Sequence, residues 1–179
     1  MLDEKTDVYG KVKDQMRLSE RIAAAIPGFH GYKEKELRRE SDRIIRNHLY
    51  LKLSGGKNDV RIISQKLADR RWLDVLTDMD RLVAKFDRVT SKVNHASYGY
   101  AGFFDAVKIK EEHLDRMMEC DNQLVTDSES LIADVEGFKS DISKGDGINA
   151  KTRIQAITDK LDNFESAFDK RQEVIMGVM

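Results

Sequence analysis

The chain has 179 residues, of which 35% are charged and 40% are apolar, with a single cysteine and a single proline. This length and apolar content predict one soluble domain with one core of moderate size. Lys and Arg number 31 and Asp and Glu 32, so the formal charge of −1 gives no overall attraction to nucleic acid, membranes or acidic substrates. One cysteine cannot form an internal disulfide, which excludes a disulfide-stapled scaffold.

The start of the chain and its hydropathy bear on localisation. The opening MLDEKTDVYG lacks the basic and apolar regions of a signal peptide. No run approaches the ~18 consecutive apolar residues that indicate a membrane-spanning helix. We therefore expect a cytoplasmic protein without a transmembrane segment.

Apolar residues recur mainly at steps of three and four, the spacing of amphipathic helices. The pattern predicts five helices, at about 3–26, 32–53, 59–95, 104–142 and 149–176. In the third, steps of four and three from Trp72 to Val93 are typical of helices packed lengthwise on one another. We predict an all-α fold, an elongated antiparallel helical bundle with coiled-coil-like packing that forms a single domain over residues 1–179.

Glycine and proline mark the predicted ends of these helices. Pro27 disfavours helical geometry at the residue before it and ends the first helix. Ser54–Lys57, with two glycines, is predicted to separate the second helix from the third, and residues 143–147 the fourth from the fifth. A further break is expected within residues 95–102. The middle of the fourth helix, residues 121–130, is polar and is expected to be partly exposed or kinked.

The sequence offers little from which to build a catalytic centre. Helical bundles that bind two metals use Glu-x-x-His pairs, and none of the four histidines has a glutamate three residues before it. On a helix, Cys120 lies ~10 Å from His113, too far for a thiolate–imidazole contact. Neither a Walker-type loop nor a dinucleotide fingerprint is present in the sequence. We expect no metal, no cofactor and no enzymatic activity.

Charge is unevenly arranged along the chain. Residues 33–71 hold 12 basic and 6 acidic side chains, a net +6, whereas residues 111–146 hold 11 acidic and 3 basic, a net −8. One interpretation is a basic patch on the second helix for the phosphates of RNA, DNA or lipids, formed by Lys35, Arg38, Arg39, Arg43 and Arg46. The other is that the two segments face each other or only keep the bundle soluble, which we favour.

Aromatic residues cluster in two glycine-containing connectors. They are Phe29 and Tyr32 in the first connector, and Tyr98, Tyr100 and Phe103 in the connector after the third helix. In an up-and-down bundle both connectors fall at the same end, where the rings would form a surface or pocket for a partner. The alternative, which we favour, is that the rings close the end of the bundle.

Two segments resemble the signature segments of an uncharacterised all-helical family of archaea and some bacteria. They are PGFHGYKEKELRRE, residues 27–40, and ASYGYAGFFDAVKIKEE, residues 96–112. The resemblance covers roughly residues 26–121 and implies no catalytic activity. Relatives that accompany membrane-stress proteins of the phage-shock and band-7 type would imply an adaptor near a membrane.

The most economical hypothesis is a non-enzymatic interaction or scaffold protein that binds a protein partner through the aromatic connectors. This hypothesis is compatible with homo-oligomerisation and with peripheral contact to a membrane. The alternative is an RNA-, ribosome- or DNA-binding protein that uses the basic face of the second helix. Salt dependence separates the two, because phosphate binding weakens steeply as salt rises.

Overall fold

The computed structural model describes residues 17–31, 35–96 and 111–176. These residues form helices, turns and bends without a strand: α1 at residues 17–25, α2 at Lys35–Asp69, a 3-10 turn at Leu73–Val75, α3 at Leu76–His95, α4 at Glu111–Lys144 and α5 at Ala150–Met176. The predicted all-α fold is confirmed. Residues 3–16 of the predicted first helix and 104–110 of the fourth lie outside the described part of the chain.

The four long helices form two hairpins that pack side by side. Short turns make α2 antiparallel to α3 and α4 antiparallel to α5. Lys85 pairs with Asp162 and, two turns later, Lys92 with Asp169, so α3 and α5 run in the same direction. Consequently both hairpin turns, residues 70–75 and 145–149, lie at one end of the bundle, here called the turn end.

Core residues follow the predicted heptad spacing most closely in α3 and α5. In α3 the predicted seam is confirmed, because its members are either buried or packed against the core. In α5 every apolar residue of the predicted stripe is buried, and so is the one polar residue that interrupts it, Arg171. The buried apolar members of the α5 stripe are Ile154, Ile157, Leu161, Phe164, Phe168 and Ile175.

The predicted break at Ser54–Lys57 is wrong, because α2 continues through it as one helix of 35 residues. The buried stripe of α2 keeps its phase across the two glycines, from Leu53 through Gly56 to Val60. A Cβ atom on Gly56 would lie 2.5 Å from Ile132 Cδ1 and 3.2 Å from Phe86 Cε1. Gly56 is therefore a packing residue that lets α3 and α4 approach the α2 backbone, and this contact offsets the low helix propensity of glycine.

The chain turns instead at Arg70–Trp72, inside the helix predicted over 59–95. Arg71 adopts the left-handed conformation, with φ of 59°. Its N–H donates to the carbonyl of Ala68 at 2.9 Å, and the N–H of Trp72 donates to that of Leu67 at 3.0 Å. This bonding pattern is a Schellman motif, which glycine usually provides, so the glycine signal alone misplaced the boundary.

The predicted ends at Pro27 and at residues 143–147 are confirmed. The third predicted helix ends at His95, and the rest of the break expected within residues 95–102 lies outside the described part of the chain, from residue 97 onward. Residue 25 is the last helical residue of α1, two before Pro27. At the end of α4, Gly145 has φ of 90° and a second Schellman motif, in which Asp146 donates to the Asp141 carbonyl at 3.0 Å. The middle of α4 is partly exposed, as predicted: Gln123, Thr126, Glu129 and Ser130 are exposed, whereas Asp121 and Ser128 are buried. The helix continues through this segment.

We predict that the two adjacent glycines of α2 respond in opposite ways to the same substitution. Gly55→Gln places a better helix former where a Cβ meets no atom within 4 Å, and should raise the free energy of unfolding by ~0.5–1 kcal/mol. Gly56→Gln forces a polar side chain against Ile132 and Phe86 and should lower it by ~1–3 kcal/mol. Urea unfolding measures both, and changes of the same sign would contradict the packing role of Gly56.

Candidate interaction surfaces

Only part of the predicted aromatic surface can be located. Tyr32, Tyr98, Tyr100 and Phe103 lie outside the described residues, so their placement stays a prediction. Phe29 is 5% exposed and belongs to the hydrophobic core. Its ring therefore fills the bundle, as the alternative interpretation of the connectors expected, and does not face a partner.

The predicted basic patch is partly neutralised. Arg46 donates from Nε to Asp42 Oδ2 at 2.8 Å, and Arg43 lies 3.6 Å from Glu40. Arg39 is exposed, and the side chains of Lys35 and Arg38 are not among those described. Since paired arginines contribute less to a field that attracts phosphate, these contacts favour the structural interpretation of the basic segment.

Farther along α2, the neutralising carboxylate comes from α3 and not from the acidic segment. Lys57 and Arg61 both bind Asp87, at 3.2 and 2.9 Å. Burial acts to raise the pKa of Asp87, but its hydrogen bonds to Lys57 and Arg61 outweigh that effect, so its pKa is lowered. Segments 33–71 and 111–146 do face each other, since α2 packs on α4 at Gly56 and Ile132. The ion pair that joins them has the reverse signs, because Asp59 of the basic segment accepts a bond from Lys139 of the acidic segment at 2.6 Å.

A charged layer crosses the core near the end opposite the turns. The Arg171 side chain is 0% exposed; its Nε lies 2.5 Å from Asp121 Oδ1, and its Nη1 lies 2.9 Å from Asp42 Oδ1. Asp121 is 0% and Asp42 3% exposed, so this charged core layer joins α2, α4 and α5 away from water. The Arg46 bond supplies Asp42 with a second cation, which balances two carboxylates with two guanidinium groups.

Cys120 has the surroundings of a structural cysteine. It is half-buried beside Asp121, and burial, followed by the charge of Asp121, raises the pKa of its thiol. A raised pKa reduces the thiolate, which is the nucleophile. Among the residues described, no group of three or more His, Cys, Asp or Glu side chains could hold a metal ion.

The turn end is held together by Arg70. Its Nη1 donates to the Ile142 carbonyl at 2.5 Å and its Nη2 to the Ser143 carbonyl at 3.2 Å. These carbonyls end α4, where a cation is also favoured by the helix dipole. The guanidinium carbon lies 5.5 Å from the centre of the Trp72 ring, and a Cβ on Gly147 would overlap that ring. The two hairpin turns are thereby fixed to each other.

Two large apolar side chains project from this fixed frame. Leu73, which follows Trp72, is 66% exposed, and Ile148, which follows Gly147, is 92% exposed. Because Trp72 and Gly147 touch, Leu73 and Ile148 extend from neighbouring backbone. Sequence analysis missed this pair, although an isoleucine in the polar loop 143–149 was a visible signal.

Within the described residues, none of the helices is both long enough and apolar enough to cross a lipid bilayer.

We predict that the charged core layer depends on Arg171. Arg171→Met should lower the free energy of unfolding by ~3–5 kcal/mol, because it leaves the buried Asp121 carboxylate without this partner. Adding Asp121→Leu to Arg171→Met removes the buried carboxylate that has lost Arg171 and should recover most of that loss of stability. The other carboxylate of the layer, Asp42, still pairs with Arg46. Arg88→Met, which removes an ion pair from a half-exposed arginine, is the matched control and should cost ~1 kcal/mol or less. Equal losses in urea unfolding for Arg171→Met and Arg88→Met would contradict the layer's role.

A second prediction concerns Cys120. Each unit by which a thiol pKa rises removes ~90% of its thiolate at neutral pH. Alkylation by iodoacetamide at pH 7.5 should therefore be slower in the folded protein than in urea, where burial is lost. A folded-state rate equal to or above the unfolded rate, followed by mass spectrometry, would restore Cys120 as a candidate nucleophile.

Comparison with known proteins finds no matching family model, no similar curated protein and no similar solved structure.

Proposed function

We propose that the protein is a non-enzymatic interaction module that binds a protein partner at its turn end. The observation that carries the proposal is the exposure of Leu73 and Ile148, at 66% and 92%, on two turns locked together by Arg70 and Trp72. A large exposed aliphatic side chain on rigid backbone loses little conformational entropy when it is covered, which favours its use as a binding anchor.

The polar surroundings of these two residues suit a protein interface better than a phosphate backbone. Asp74 and Asp146 stand beside them in the turns, and Arg71 and Lys144 supply opposite charges. Apolar anchors within a rim of both charge signs are typical of protein–protein contacts. The other aromatic residues of the connectors, Tyr32, Tyr98, Tyr100 and Phe103, remain a second candidate surface for a protein partner.

A capture experiment with matched variants tests this function. The full-length tagged protein is used as bait in a lysate of its source organism, with and without nuclease. We expect to capture a protein partner whose binding withstands nuclease treatment. The amount captured should fall at least about tenfold, ~1.4 kcal/mol, when Leu73→Asp and Ile148→Asp are combined in the bait. Ala133→Asp with Ala156→Asp, two exposed alanines on α4 and α5, adds the same charge elsewhere and should retain the partner.

Three results would overturn the turn-end proposal. Capture that is equal for both double variants would show that Leu73 and Ile148 are not anchors. Loss on replacing Tyr98 and Tyr100 with serine, with the turn-end variant unaffected, would move the site to the aromatic connectors. Binding that disappears with nuclease and on Arg39→Glu would favour the nucleic-acid alternative.

A further inference from the structure

The outward side of α2 carries a second heptad stripe besides the one that faces the core. Its members follow one another at steps of four, three, four, three and four residues: Ile44, His48, Leu51, Gly55, Asn58 and Ile62. Leu51 is 60% and Ile62 41% exposed, Gly55 and Asn58 are exposed, and Ile44 and His48 are half-buried. We call these six positions the outer seam.

The outer seam is uncharged in a chain that is 35% charged. The outward side of α4 also has a neutral stripe, at Gln123, Thr126, Ser130, Ala133, Gly137 and Ser140. That stripe exposes no large apolar side chain, whereas the outer seam exposes Leu51 and Ile62. Burial and the charge of Lys52 lower the pKa of His48, which keeps its ring neutral at pH 7. A heptad stripe of neutral residues along ~27 Å of helix is the pattern of a helix–helix contact.

The seam is symmetrical about the level of Leu53, as heptad spacing with these steps always is, so a second copy can pack on it in the opposite direction. The spacing of the seam is the same in both directions. In an antiparallel pair of α2 helices, Ile44 would therefore lie opposite the partner's Ile62 and Leu51 opposite the partner's Gly55. This pairing would also place the side-chain amide of the partner's Asn58 opposite His48. We propose that the protein forms a two-fold symmetric dimer through the outer seam of α2.

The opposition of Leu51 to Gly55 fits the surface of the single chain. Gly55 has no atom within 4 Å of the position of a Cβ, so it leaves room for the partner's Leu51. The two adjacent glycines also border a groove of about 320 Å³ between α2 and α4, lined by Leu51 and Ile132. The partner's Asn58 lies at the level of His48, and a polar level inside an apolar seam fixes its register.

The rim of the groove is self-complementary in charge. Lys52 and Glu136 border it on the α2 and α4 sides. In a two-fold dimer Lys52 of one copy faces the partner's Glu136. A partner surface that carries only one sign of charge would not complement both of these groups. The contact is essentially one helix pair, which is below the ~1,200 Å² of a standard interface, so we expect a dissociation constant in the micromolar range.

Sedimentation equilibrium of the full-length protein between ~1 µM and ~500 µM tests the dimer. Gly55→Arg should raise the dissociation constant at least about tenfold by filling the space for Leu51, while circular dichroism shows an unchanged fold. Leu51→Glu should act in the same way. Gly137→Arg is the matched control, because Gly137 is likewise free of atoms within 4 Å but lies between Asp134 and Asp141, which pair with α5.

Disulfide trapping then tests the orientation. In a Cys120→Ala background, a mixture of Leu51→Cys and Gly55→Cys chains should form the mixed disulfide in preference to either symmetrical one. Preferred symmetrical disulfides would overturn the antiparallel pairing. A monomer at all concentrations, or equal weakening by Gly55→Arg and Gly137→Arg, would overturn the dimer itself.

Discussion

The bundle depends on the ion pairs that Arg171 makes in its core. In a purely apolar heptad core, neighbouring helices can slide by one turn and still bury similar area. Here Arg171 on α5 must reach Asp121 on α4 and Asp42 on α2 at the same level. A slip of one turn would separate the buried Arg171 from Asp121 and Asp42, at several kcal/mol for a broken buried pair, although Asp42 would keep Arg46 of its own helix. The charged core layer therefore sets the register of the two hairpins, at the expense of desolvating four ionic groups.

The contact between α3 and α5 is fixed by ion pairs that lie within two turns of this layer on α5. Glu165 accepts two bonds from Arg88 and a third from Lys92, and Lys92 also binds Asp169. Burial alone would lower the pKa of Lys92, yet these bonds raise it, so the ammonium ion is retained. At the turn end, Arg70 joins α2 to the last carbonyls of α4. These contacts fix the positions of the helices along their axes at both ends of the bundle and along one side. The two turns therefore hold Leu73 and Ile148 as a fixed pair.

The sequence predicts correctly those helices whose apolar residues keep one continuous helical spacing. It fails where that spacing and the helix propensity of individual residues point to different structures. Glycine costs ~1 kcal/mol in a helix, which suggested a break at Gly55 and Gly56, whereas the continuous phase from Leu53 to Val60 indicated one helix. The turn at Arg70 contains neither glycine nor proline. It is stabilised by contacts with α4, and the sequence does not reveal those contacts. Arg171 occupies a heptad core position, so a buried arginine could have been predicted, although its acidic partners could not.

The glycine pair that misled the sequence analysis connects the fold with the proposed dimer. Successive residues of a helix point ~100° apart, so Gly56 faces α3 and α4 while Gly55 faces outward. Packing explains Gly56, because any side chain there would meet Ile132 and Phe86. Packing within the chain does not explain Gly55, where a side chain would meet nothing and alanine would favour the helix. Gly137 on α4 is equally free of neighbours, so a missing side chain alone does not mark an interface. Gly55 differs from it by the exposed Leu51 one turn away and by the groove beside both residues. In the proposed dimer each copy places its Leu51 over the partner's Gly55.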